Sequence, residues 1–185
     1  GNTRQIERMV ADERLDFGLI EGIARDPPLH YEPFMEDELV LVTAANNRSI
    51  TQEEIGVSEL AKLPLVIRET GSGTLEVVER ALVAQGIPMR SLSVEMQLGS
   101  TESIKHYLYG SEAVAFVSIH AVLEELRHNM LRVIDIRDFS VTRNFSFVSR
   151  HGHNSRLSNR FKQFCEEKWR NFSGGKSRLS GKEKR

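Results

Sequence analysis

Apolar positions follow two rhythms along this chain, one of period near 3.6 and one of period two. Ile6, Met9 and Val10 share one helical face, and Asn2 with Gln5 three residues later makes a capping-box pair, so a helix is predicted to open at Asn2. Leu15 to Ile20 reads as a strand stopped by Glu21-Gly22, and Pro27-Pro28 marks a loop. Glu38-Leu39-Val40-Leu41-Val42 is apolar after its first residue, the pattern of a strand buried on both faces. The polar stretch Ala45 to Glu54 reads as a loop or crossover, and Ser58 predicts the cap of a short helix ending before Pro64.

A regular alternation follows. Strand Leu65–Arg68 leads through Gly71-Ser72-Gly73-Thr74 into a helix with Leu75, Val78 and Leu82 on one face, stopped by Gly86 and Pro88. Strand Leu92–Gln97 leads through Gly99-Ser100-Thr101 into a helix with Ile104, Tyr107 and Leu108, closed by Gly110. Strand Ala113–Val117 leads to a helix begun by Ser118 and closed near Asn129, and strand Leu131–Ile136 completes the unit. Strand and helix alternating at this spacing predict a mostly parallel α/β sheet. Asn144 to Ser149 is a further strand, and Ser155 caps a last helix through Phe172, whose stripe Leu157, Phe161, Phe164, Cys165 and Trp169 is expected to pack into the core. The polar stretch near Asn46 and the segment Asp138–Arg143 are candidate crossings between two lobes, a geometry suited to closure on a ligand.

Charge adds one asymmetry. The 185-residue chain has a formal net charge of −1, yet Gly174 to Arg185 carries a net +4, so the body is acidic and a poor nucleic-acid surface. That tail lacks apolar periodicity and reads as a disordered basic segment, residues 173–185. A single cysteine rules out an internal disulfide framework and fits a reducing cytosol. No apolar run approaches membrane-spanning length, and no secretory signal is visible; the chain opens at Gly1 directly before a helix start and is expected to be a piece of a longer protein.

Candidate chemistry gathers at the helix starts. Unpaired N–H groups and the positive end of the helix dipole attract anions and carbonyl oxygens there. Ser72, Gly73 and Thr74, and Gly99, Ser100 and Thr101, stand at the carboxyl ends of strands, where open α/β sheets bind ligands. Asn2 and Thr3 form a third polar start, and Glu21-Gly22 ends a strand of the same lobe. Each of these also suits plain capping or a solvated loop. No lysine follows Gly73-Thr74, which excludes a nucleotide-phosphate loop. His151-Gly152-His153 has no partner pair at metal-ligand spacing, Ser118 and His120 stand too close to form a nucleophile–base pair, and Cys165 lies in an apolar stripe. No catalytic group, metal site or cofactor is therefore expected.

The order of these segments resembles the effector-binding domain of LysR-type transcriptional regulators. Gly1-Asn2-Thr3, the run Leu15 to Gly22, Asp37 to Val42, Glu59 to Glu69, Gly71 to Thr74, Gly99 to Lys105 and Ala113 to Ser118 match in the family's order, over roughly Gly1 to Phe172. The resemblance implies a periplasmic-binding-protein-like α/β fold (type 2) of two lobes with a ligand cleft between them. Residues 1–44 with 143–172 would form one lobe and 45–142 the other. It places Asn2, Thr3, Ser72, Gly73, Thr74, Gly99, Ser100, Thr101 and Ser118 at the cleft, with Glu21 and Gly22 beside them from the reading above. It further implies a homodimer or tetramer in the cytoplasm, without enzymatic activity, that meets promoter DNA through an N-terminal helix-turn-helix. That domain, and the first strand and helix of the regulatory domain, would precede Gly1. The expected effector is a small molecule bearing a carboxylate. The alternative is an exported solute-binding protein of the same fold.

Overall fold

The computed structural model describes residues 1–22, 29–152 and 155–176. The Pro27-Pro28 loop, His153 and the tail beyond Lys176 lie outside them. Helix α1 (Thr3–Ala11) opens with the expected capping box: the Asn2 side chain accepts from the Gln5 backbone while the Gln5 side chain accepts from the Asn2 N–H. Strand β1 (Phe17–Glu21) follows, then β2 (Leu29–Ala44), a single 16-residue strand. A two-residue β3 (Glu54–Ile55) and a one-turn helix α2 (Val57–Leu60) come next; α2 is capped at Gly56 rather than Ser58, with Glu59 closing the box onto the Gly56 N–H. Then come β4 (Leu65–Arg68), α3 (Gly73–Ala84), β5 (Val94–Leu98), α4 (Thr101–Tyr109), β6 (Val114–Ser118), α5 (Leu123–Arg127), β7 (Leu131–Ile136), β8 (Val141–Arg150) and α6 (Arg156–Lys176). Ser118 caps a short turn, Ile119–Ala121, that leads into α5.

The sheet is mixed, not mostly parallel. Its order is β1-β8-β2-β6-β4-β5, with β7 pairing β2 and β3. The β4/β5, β4/β6 and β3/β7 pairs are parallel, as the local alternation requires. The antiparallel pairs come from long-range returns: β8 runs back between β1 and β2, and β2 lies against β6 and β7.

The lobes join inside β2. This strand pairs with β8 along Leu29–Leu39 and with β6 along Leu39–Thr43. The first crossing therefore falls at Asp37–Leu39 rather than at the polar stretch near Asn46, and residues 39–44 pack with the second lobe. Val141–Arg143 at the start of β8 forms the second crossing and pairs with the first, Asp37 opposite Arg143 and Leu39 opposite Val141.

Period-two alternation divides the second lobe's core. Val114 and Phe116 face α3 with Leu65, Val78 and Leu82, while Ala115 and Val117 face α4 with Val66, Ile104 and Leu108. The first lobe buries a smaller cluster, Val10, Ile20, Leu29 and Val148. The α6 stripe does not enter the core: Leu157 is 78% exposed, Phe161 49% and Phe164 53%, and Cys165 is only half-buried. The helix is held at its edge. Phe161 meets the ring of Phe17, Lys162 pairs with Glu32, and Trp169 stands edge-on to His120 of the second lobe.

Candidate functional site

The N-terminus of α3 lies against the first lobe. Gly73 approaches the end of β1 so closely that a Cβ there would stand 2.1 Å from the Glu21 carbonyl oxygen. Gly22, at φ +99°, also packs against the Gly73 backbone. Thr3 at the start of α1 donates its hydroxyl to the Glu21 carbonyl at 2.8 Å. The Glu21 carboxylate in turn accepts from the Thr74 N–H at 3.3 Å and the Thr74 hydroxyl at 2.8 Å.

A buried arginine completes the contact. Arg143, with a side chain 3% exposed, pairs with Glu21, donates through Nε to Asp37 at 2.8 Å and through a terminal nitrogen to the Thr74 hydroxyl at 2.8 Å. Its guanidinium lies over the Phe145 ring. Asp37, fully buried, also accepts from the Ser118 hydroxyl at 2.7 Å. Both lobes thus contribute to one charged network at the crossing.

A second contact lies beside it. Asn2 Nδ2 donates to Glu69 at 3.3 Å, and the Arg4 N–H reaches the Gly71 carbonyl. Burial pushes the Glu69 carboxyl up, but hydrogen bonds from Arg68, its own backbone and Asn2, with the Arg68 charge, outweigh it and hold the group below its ordinary value of 4.5. A carboxylate held low in the folded state stabilises the fold above its unfolded pKa and loses that contribution as pH falls through the folded one. The melting-temperature difference between the wild type and Glu69→Gln is therefore expected to be full near neutrality and to shrink below about pH 4.5. A difference constant from pH 7 to pH 3 would show that the charge of Glu69 contributes nothing.

Gly99, Ser100 and Thr101 stand next to this network without joining it. Arg68 of β4 pairs with Leu98 of β5, which sets the two glycine–serine turns side by side. Ser100 caps α4 by accepting from the Ser103 N–H at 3.1 Å, and a Cβ on Gly99 would meet nothing within 4 Å. A cavity of about 350 Å³ opens behind the network, between α3 and the start of β8, against Gly22, Val77, Ala81, Val141 and Arg143.

The same architecture is found in known proteins. A family model, the LysR substrate binding domain, matches residues 1–170. The chain belongs to that family. It is 29% identical over 148 residues to the HTH-type transcriptional regulator CysL of Bacillus subtilis (strain 168), covering 80% of this chain and 48% of CysL. The chain thus spans about half the length of such curated relatives. Among solved structures, the regulatory domain of Synechocystis PCC6803 CcmR in complex with 2-PG superposes with a TM-score of 0.78 at 23% identity, over 90% of this chain and 79% of that one. The effector-binding domain of QuiR in complex with shikimate gives 0.76 at 18% identity, over 90% and 78%. The fold is the periplasmic-binding-protein-like one of two α/β lobes.

Of the residues singled out in this LysR substrate-binding domain, Asn2, Thr3, Glu21, Gly22, Ser72, Gly73 and Thr74 meet where the lobes touch. Ser118 reaches them through Asp37, and the 99–101 turn stands alongside. Sequence reasoning missed Asp37 and Arg143. A signal existed: each is a charge at an inward-facing position of its strand, Asp37 in step with Leu39 and Leu41, Arg143 in step with Val141 and Phe147. Among the described residues no group of three or more His, Cys, Asp or Glu is placed to hold a metal, and no helix is long and apolar enough to cross a membrane.

Proposed function

We propose that this domain senses a small anionic effector for a LysR-type transcriptional regulator, the molecule lying between the lobes and biasing their closure. One observation carries the reading: polar groups from both lobes converge on the start of α3, at the crossing on which any relative movement must turn. The family supports it, as do neighbours solved with 2-PG and with shikimate. In this reading the domain is non-catalytic and acts in the cytoplasm as part of a homo-oligomer. Promoter DNA is read by a helix-turn-helix elsewhere in the protein. Relatives that are transcription regulators favour this over an exported solute-binding protein.

Thr101 is the group chosen to test the cleft, because it opens α4 just after the strand end that pairs with the one leading to α3. The domain is titrated with a panel of small carboxylates, shikimate included, by calorimetry. At least one is expected to bind at one per chain, and Thr101→Ala is expected to weaken it about tenfold, the effect of one hydrogen bond to a charged group. Unchanged affinity in a folded Thr101→Ala protein, or no binding across the panel, would overturn the reading.

A further inference from the structure

The start of α3 already holds an anion, and it belongs to the protein. Ser72 occupies the N-cap position, where a serine hydroxyl ordinarily accepts from a backbone N–H two or three residues on. Here the Thr74 N–H goes to the Glu21 carboxylate instead. The Ser72 hydroxyl is left fully buried with no hydrogen-bond partner among the described residues. Two unlike observations thus meet at one helix end: a carboxylate from the other lobe in the anion seat, and a buried polar group beside it that this carboxylate does not serve.

We propose that Glu21 is a resident competitor for the effector. Its carboxylate fills the α3 N-terminus when the domain is empty, and an anionic effector gains that seat by displacing it. The proposal rests on the reading of the cleft as the effector site. The donors that grip Glu21 are those an incoming carboxylate or phosphate needs: the Thr74 N–H, the Thr74 hydroxyl and the Arg143 guanidinium. The incoming group also gains the Ser72 hydroxyl. The surrounding chain is shaped to deliver Glu21. Thr3 pins its carbonyl, and Gly73 has no side chain to keep the β1 end away. A seat occupied from within lowers apparent affinity by the fraction of molecules in which it is filled, and so sets the effector concentration at which the domain responds.

Inorganic phosphate is the probe. It is titrated calorimetrically into the wild type, Glu21→Gln, the double variant Glu21→Gln with Thr74→Val, and Glu79→Gln, which removes an exposed charge from α3 away from the seat. Near-UV circular dichroism checks that each is folded. Glu21→Gln is expected to bind phosphate at least tenfold more tightly than the wild type. Glu79→Gln is expected to stay within threefold, and the Thr74 change to cancel the gain. Equal phosphate affinity in Glu21→Gln and Glu79→Gln overturns the proposal. Should Glu21→Gln fail to fold, Glu21→Asp is read by the same rule. It keeps the charge but withdraws the carboxylate by one methylene, and an affinity no higher than the wild type's is the overturning result. A domain that binds shikimate in a Thr101-dependent way yet shows no gain in Glu21→Gln keeps its effector site and loses the competitor. One in which Thr101→Ala changes nothing loses the site itself.

Discussion

Replacing Arg143 with methionine is expected to lower the midpoint of thermal unfolding by on the order of 10 °C. Methionine keeps most of the aliphatic bulk and removes the guanidinium. That leaves Asp37, fully buried, with the Ser118 hydroxyl as its hydrogen-bonding side chain, and Glu21 with Thr74. Breaking a buried pair from one side costs about 3–5 kcal/mol, because the stranded charge keeps its desolvation penalty. Asp37 is the stranded charge here, while Glu21, 20% exposed, keeps both Thr74 donors. Arg143→Lys is expected to fall between, since one ammonium cannot span three acceptors as a planar fork does. A differential scanning measurement showing Arg143→Met within 2 °C of the wild type would mean that the network contributes little to the fold.

Gly73→Ala is expected to push the lobes apart. The new Cβ would stand 2.1 Å from the Glu21 carbonyl oxygen and 2.7 Å from its carbon, both backbone atoms. Neither can move without moving β1. Overpacking of this kind costs about 1–3 kcal/mol where the neighbours must give. Here one route of relief is separation of α3 from β1, so small-angle scattering is expected to report a larger radius of gyration with unchanged helix content. Gly99→Ala is the matched control: its Cβ would enter open space, and its stability is expected to stay within about 0.5 kcal/mol of the wild type. A Gly73→Ala protein with the wild type's dimensions and melting point would show that the close approach is not what holds the lobes together.

Local signals in the sequence led to local structure. The Asn2–Gln5 box, the helix faces and the two glycine–serine turns all depend on residues within a few positions of one another; the box and both turns formed, and the α3 face formed on Val78 and Leu82 with Val77, not Leu75, buried beside them. The β2 strand was legible only in its second half. Pro33 and the charges Glu36-Asp37-Glu38 interrupt the apolar pattern, yet the ladder with β8 accommodates Pro33 at a shift of register. The antiparallel pairings had no local signature, because β8 meets β2 across about a hundred intervening residues. The α6 stripe shows the limit of periodicity: it reports that a helix has an apolar face, not which surface covers it. At the site, the missing side chain of Gly73 admits a close approach of another segment of the chain. What approaches is Glu21, and spacing alone could not name it.

The lobes are joined by a ribbon. Asp37–Leu39 and Val141–Arg143 are hydrogen-bonded neighbours in one ladder, so the joint behaves as a torsion bar rather than a pair of loose tethers. Across sheets, adjacent strands are twisted against one another by anything from roughly 10° to 35° with their ladders intact, so a paired ribbon accommodates a change of twist better than a break in pairing. In the proposed function, motion between the lobes is expected to be a rotation about this bar, with the Asp37–Arg143 pair set in the ribbon itself. A ligand held at the rim would, in that proposed function, work on the long arm of that lever.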